Sequence, residues 1–99
     1  MPTTDHRQTA RDHVETLIAK LRAQPDQRPV QALVEECEAL SRAIAAFHME
    51  GIRFRIYNVD RLVHKDTTLP SEIASVVVDV RRELEAAGFH TRSHQAPGT

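Results

Sequence analysis

The feature that most constrains this chain is a line of apolar residues at Val30, Leu33, Val34, Cys37, Leu40, Ile44 and Phe47, spaced by threes and fours. Only an α-helix places such spacing on one face, and the stripe runs for about five turns. Ala39, Ala43 and Ala46 form a neighbouring line of small side chains, which lets a second backbone approach closely. This helix has more buriable surface than one partner helix needs, so it is expected at the centre of the fold. Glu35, Glu36, Glu38 and, further on, Glu50 leave its remaining face acidic.

The segment before it reads as a second helix. Asp5 and Gln8 resemble an N-terminal capping pair, and Ala10, Val14, Leu17, Ile18 and Leu21 recur at helical spacing. The stretch "PDQRP" breaks the pattern, and Pro29 suits the first turn of the helix that follows.

The segment "HMEGIRFRIYNV", residues 48–59, reads in two ways. Continued as a helix, the stripe would pass through Gly51, Phe54, Asn58 and Arg61, which are poor core residues. Read as a strand, Ile52, Phe54 and Ile56 point inward while Arg53, Arg55 and Tyr57 point outward. β-branched and aromatic residues favour a strand, and Gly51 is the residue type that ends a helix in the left-handed conformation. The strand is therefore the expectation. "NVDRLVHKDTTLP" follows as a connector with one helical turn near Asp60 to His64. Pro70 and Ser71 then open a further helix with a core face of Ile73, Val76, Val77, Val80, Leu84 and Ala87. It stops at Gly88, and Phe89 stands where a hydrophobic contact closes such a cap.

The expected fold class is α+β and mostly helical: a helical hairpin packed on a small strand–helix–strand unit over residues 52–94. The alternative is an all-α bundle of three or four helices in which residues 52–64 are helical. Two strands alone are marginal, so the first reading invites a second subunit to extend the sheet, which predicts a homodimer. The 99 residues suit one domain, 1–99, with 1–4 and 95–99 frayed.

Composition narrows the function classes. Aromatic residues are 4% of the chain, with no Trp, so the core must be largely aliphatic. A net charge of −1 argues against nucleic-acid binding through bulk positive charge. The single cysteine, Cys37, cannot form an internal bridge and lies on an apolar stripe, as a buried thiol in a reducing cytoplasm would. "MPTTDHRQTA" has no apolar leader region, and no apolar run approaches the ~18 residues of a membrane span. The expected location is cytoplasmic, away from membranes.

Three constellations could carry chemistry. His90 and His94 sit four apart, and a metal would need further ligands such as His64 or Asp60. No Cys pair or H-x-H supports that site, so the pair reads as an exposed tail and no metal or cofactor is assigned. Glu35 and Glu38 form E-x-x-E, a spacing that puts two carboxylates on one helical face, where Mg²⁺ could be held. In this respect "LVEECEAL" resembles the all-α nucleotide pyrophosphohydrolases of the MazG type. That family adds E-x-x-D on a later helix. Here the later helix offers Glu72, with Ser75 where the second acid belongs and Asp79 one turn beyond. The family's site does not carry over, and a solvated acidic face accounts for the pair.

The third constellation is basic. Arg53, Arg55, Arg61, His64 and Lys65 follow the acidic helix with only Asp60 opposing them, and Arg81, Arg82 and Arg92 join them if the strand–helix–strand unit forms. Such a patch suits phosphate, RNA or an acidic protein surface. Nucleic-acid platforms add exposed aromatics, and only Tyr57 is available in this reading. The plainer account makes these arginines the wet side of an edge strand. Arg53, Arg55, Arg61 and Lys65 are the candidate binding residues. The expected function is a non-enzymatic interaction or regulatory protein, homodimeric, contacting partners through the long helix and the strand edge. A metal-dependent nucleotide phosphohydrolase using Glu35 and Glu38, and a nucleic-acid-binding module using residues 53–65, are the alternatives.

Overall fold

The computed structural model describes residues 5–25, 28–89 and 91. Four α-helices account for most of them: α1 (His6–Arg22), α2 (Arg28–Ala45), α3 (Met49–Lys65) and α4 (Ser71–Ala86). Neighbours along the chain run antiparallel around a ring. α1 packs on α2 and α4, α3 packs on the same two, and the backbones of the diagonal pairs stay apart. Lys20 at the end of α1 meets Glu72 at the start of α4, while His6 at the other end meets Glu83.

The core is aliphatic, as the composition requires. Val14, Leu17 and Leu21 of α1, Leu33, Cys37, Leu40 and Ile44 of α2, and Ile73, Val77, Val80 and Leu84 of α4 are all buried. One hydroxyl lies among them. Ser41 donates to Glu15 Oε2 at 3.0 Å and accepts from Arg11 Nε at 3.3 Å, so this buried polar group is satisfied from α1.

Residues 52–59 are not a strand, and the described residues contain none. They lie within α3, whose buried face is Ile52, Ile56, Val59 and Val63. Those positions step by four, three and four, a helical stripe one to two residues on from the register of Gly51, Phe54, Asn58 and Arg61 considered above. The alternation Ile52–Phe54–Ile56 satisfied a period of two only over five residues. Val59 and Val63 break that period and continue the helical one. The all-α alternative is therefore the fold, and the strand–helix–strand unit falls. The expectation of a dimer built by extending a sheet loses its basis with it. The frayed tails assigned to 1–4 and 95–99 lie outside the described residues.

Gly51 also has a different role. The α2 helix ends earlier, at Ala45, and Phe47 takes the left-handed position with φ 56°. Its N–H bonds the Ile44 carbonyl, and the His48 N–H bonds the Ala43 carbonyl, the paired closure that usually recruits glycine. Phe47 is 64% exposed rather than the last rung of the apolar stripe. The Arg7 guanidinium lies 4.1 Å from its ring centroid and donates to the Ile44 carbonyl at 3.2 Å. The Phe89 ring is 6.4 Å away. At the end of α4 the same closure uses glycine, as expected. Gly88 has φ 98°, Phe89 N–H reaches the Leu84 carbonyl at 2.9 Å, and the Phe89 side chain is buried.

Two helix starts follow the sequence signals. Asp5 caps α1 by accepting from the Gln8 N–H at 3.0 Å. Pro70 precedes α4, where its fixed φ and missing N–H are harmless.

Candidate binding surface on helix α3

Once residues 49–65 are helical, the basic cluster divides among three faces. Arg55 turns toward α2, where its Nη1 lies 3.1 Å from both carboxylate oxygens of Glu36. Asn58 Nδ2 donates to the same carboxylate at 3.1 Å. Arg53 and Asp60 lie on the side toward α4. Arg53 pairs with Glu50 in the first turn at 2.7 Å, and its Nε is buried without a hydrogen-bond partner among the described residues. Asp60 bonds Arg81 of α4 at 3.1 Å, and His64 Nδ1 lies 2.8 Å from its carbonyl and 3.3 Å from its carboxylate.

Arg61 and Lys65 remain on the outer face. Both are exposed, and neither has an ion pair among the described residues. They stand one turn apart and in line with Phe54 and Tyr57, at steps of three, four and four along α3. Phe54 is 44% exposed, and the Arg55 guanidinium lies 5.1 Å from its ring centroid. The strand reading had turned Phe54 inward and Arg55 outward, and the helix exchanges the two. The outer face thus combines two aromatic rings with two cations. The signal for it was the spacing 54-57-61-65, the complement of the buried stripe 52-56-59-63.

Of the candidate residues, then, Arg61 and Lys65 share a face, while Arg53 and Arg55 are held to carboxylates elsewhere. Arg81 is held by Asp60, and Arg82 pairs with Asp79 at 3.3 Å. Arg92, His90 and His94 lie outside the described residues.

The acidic constellation disperses in the same way. Glu38 bonds Arg22 at 2.7 Å, Glu36 bonds Arg55, and Glu72 faces Lys20. Glu35 and Glu38 stand on α2, Glu72 and Asp79 on α4, and these two helices lie diagonally across the bundle with their backbones apart. Among the described residues no three metal-capable side chains lie together. Cys37 is fully buried between these acids. Burial first, and the neighbouring Glu36 and Glu38 second, push its thiol up to about 12, so it carries no thiolate chemistry. Among the described residues no helix is long and apolar enough to cross a membrane.

No family model matches the chain, and neither a curated protein nor a solved structure matches it. The chemistry of the outer face therefore rests on its own residues. Cations flanked by aromatic rings suit a partner that offers carboxylates beside apolar side chains, since the rings supply contact area and the cations supply orientation.

Proposed function

We propose that this chain is a small non-enzymatic interaction module whose contact surface is the outer face of α3, from Phe54 to Lys65. The observation that carries this reading is the contrast among the basic residues. Arg53, Arg55 and Arg81 are each matched by a carboxylate of the same chain, whereas Arg61 and Lys65, beside Phe54 and Tyr57, are exposed and have none among the described residues. An acidic protein surface is favoured over nucleic acid. A phosphate backbone rewards many cations in a row, and this face offers two in a chain of net charge −1.

The test is a photo-crosslinking residue at position 54, with position 16 on α1 as control, in extract of the source cells. A protein crosslinked from position 54 alone, which then binds the purified chain but not its Arg61→Glu/Lys65→Glu variant, supports the reading. Equal yields from both positions sink it. A second copy of this chain counts as a partner in the same test, and light scattering at micromolar concentration identifies that case by a doubled mass. Nucleotide turnover with Mg²⁺ or Mn²⁺ that Glu35→Gln and Glu38→Gln abolish would replace the proposal with the phosphohydrolase. Salt-dependent anisotropy shifts with oligonucleotides would replace it with the nucleic-acid binder.

A further inference from the structure

We infer that the outer face of α3 pairs with the same face of a second copy of this chain, the two helices antiparallel about a two-fold axis beside Tyr57. This rests on the interaction reading above and names the partner. The outer stripe extends one step back to Glu50, so it runs Glu50, Phe54, Tyr57, Arg61, Lys65 at steps of four, three, four and four. Its two halves are complementary. Turned end for end, the stripe sets Glu50 of one copy against Lys65 of the other, and Phe54 against Arg61. Both pairs are centred on the same point, and there Tyr57 meets Tyr57. This contact joins helix faces and needs no sheet edge.

The charged groups that would pair are exposed. Glu50 lies in the first turn of α3, and its side chain is 78% exposed. Arg53 bonds its Oε1, while Oε2 has no partner among the described residues. Lys65 lies in the last turn of the same helix, so an antiparallel copy brings the acid of one end to the base of the other. Arg61 across from Phe54 is a cation facing an aromatic ring, a favourable contact. Arg55, which approaches that ring within its own chain, is already matched by Glu36. A parallel pairing would set Arg61 and Lys65 against their own copies. A uniformly acidic partner would answer those two cations but repel Glu50. The antiparallel two-fold satisfies both ends, and being isologous it closes at two copies. The core stripe of α3 lies on the opposite side of the helix, so the monomer keeps its own core.

Sedimentation velocity of the full chain from about 1 to about 500 µM tests this, a range suited to a modest interface. The mass should rise toward twice that of the monomer. Glu50→Lys and Lys65→Glu should each weaken association about tenfold, because each puts like charges in contact twice per dimer. An equimolar mixture of the two variants should recover it, since both end contacts then join opposite charges. Two misfolded variants would not recover on mixing. A chain that stays monomeric throughout would overturn the inference. So would a dimer that neither substitution weakens, or one that mixing does not recover. If the chain is monomeric, a different protein crosslinked from position 54 alone keeps the α3 surface and removes only the self-pairing. Equal yields from positions 54 and 16 remove both.

Discussion

The Nδ1 of His48 accepts the backbone N–H of Gly51 at 2.8 Å, and a Cβ on residue 51 would stand 2.5 Å from that same nitrogen. The imidazole thus caps α3 in the space that a glycine leaves empty. Ala43 of α2 lies against the same spot, with its Cβ 3.4 Å from where the missing one would be. Cap, glycine and small-residue stripe are one arrangement, which turns the chain from α2 into α3 in three residues.

That dependence should appear in a double-mutant cycle. His48→Ala removes the cap and should cost about 1 kcal/mol. Gly51→Ala should come out near neutral, since it displaces the imidazole while gaining about 1 kcal/mol of helix propensity. In the double variant the lost cap and the propensity gain offset each other, so it should be about as stable as the wild type, a coupling of about 1 kcal/mol by urea denaturation. Additive effects would show that the imidazole does not depend on the glycine.

The helical face of α3 predicts opposite tolerances at two nearby positions. Ile56 is 1% exposed, and Ile56→Ala should cost about 2–5 kcal/mol through lost burial and a cavity. Phe54→Glu should change stability by no more than about 0.5–1 kcal/mol, as surface substitutions do. Equal destabilisation at both positions in thermal melts would mean that they share a face, as in a strand.

Glu36 joins α2 to α3 through Arg55 and Asn58. Glu36→Ala should destabilise by about 1 kcal/mol, an effect that added salt reduces because both ends of the pair are partly exposed. Asn58 is committed to the same seam, so Asn58→Ala should leave partner binding at the α3 surface unchanged while Arg61→Glu weakens it. A binding loss from Asn58→Ala equal to that from Arg61→Glu would place the contact surface elsewhere.

The Cys37 thiol should resist disulfide reagents at pH 8 in the native state and react at the rate of global unfolding. Its folded value lies above its ordinary 9.0, so the neutral thiol is favoured by the fold. The folded state then holds its proton where the unfolded state has lost it. Stability should fall as pH rises from about 9 toward about 12, and Cys37→Ala should remove that part of the alkaline slope. Fast labelling of the native chain would show an accessible thiol.

Much of this architecture was legible in the residues themselves. The stripes of α1, α2 and α4, the Asp5 cap, the Gly88–Phe89 closure and the buried Cys37 all follow from local spacing, because each pattern fits a single period over several turns. The α3 segment was ambiguous because Ile52 and Ile56 satisfy both a period of two and a period of four. Only the continuation to Val59 and Val63 separates them. The left-handed position at Phe47 was hidden for another reason: it breaks the usual glycine preference, with Arg7 and Phe89 lying against the exposed ring.

By itself, then, the sequence determined that the chain is mostly helical with an aliphatic core, since apolar spacing and the scarcity of aromatics act locally and at every position. The tertiary structure decided which charges are matched. Whether an arginine meets a carboxylate depends on which helix packs beside it and at what rotation. Arg55 found Glu36 across a helix seam, and Arg61 and Lys65, on the opposite rotation of α3 from its core stripe, were left facing outward.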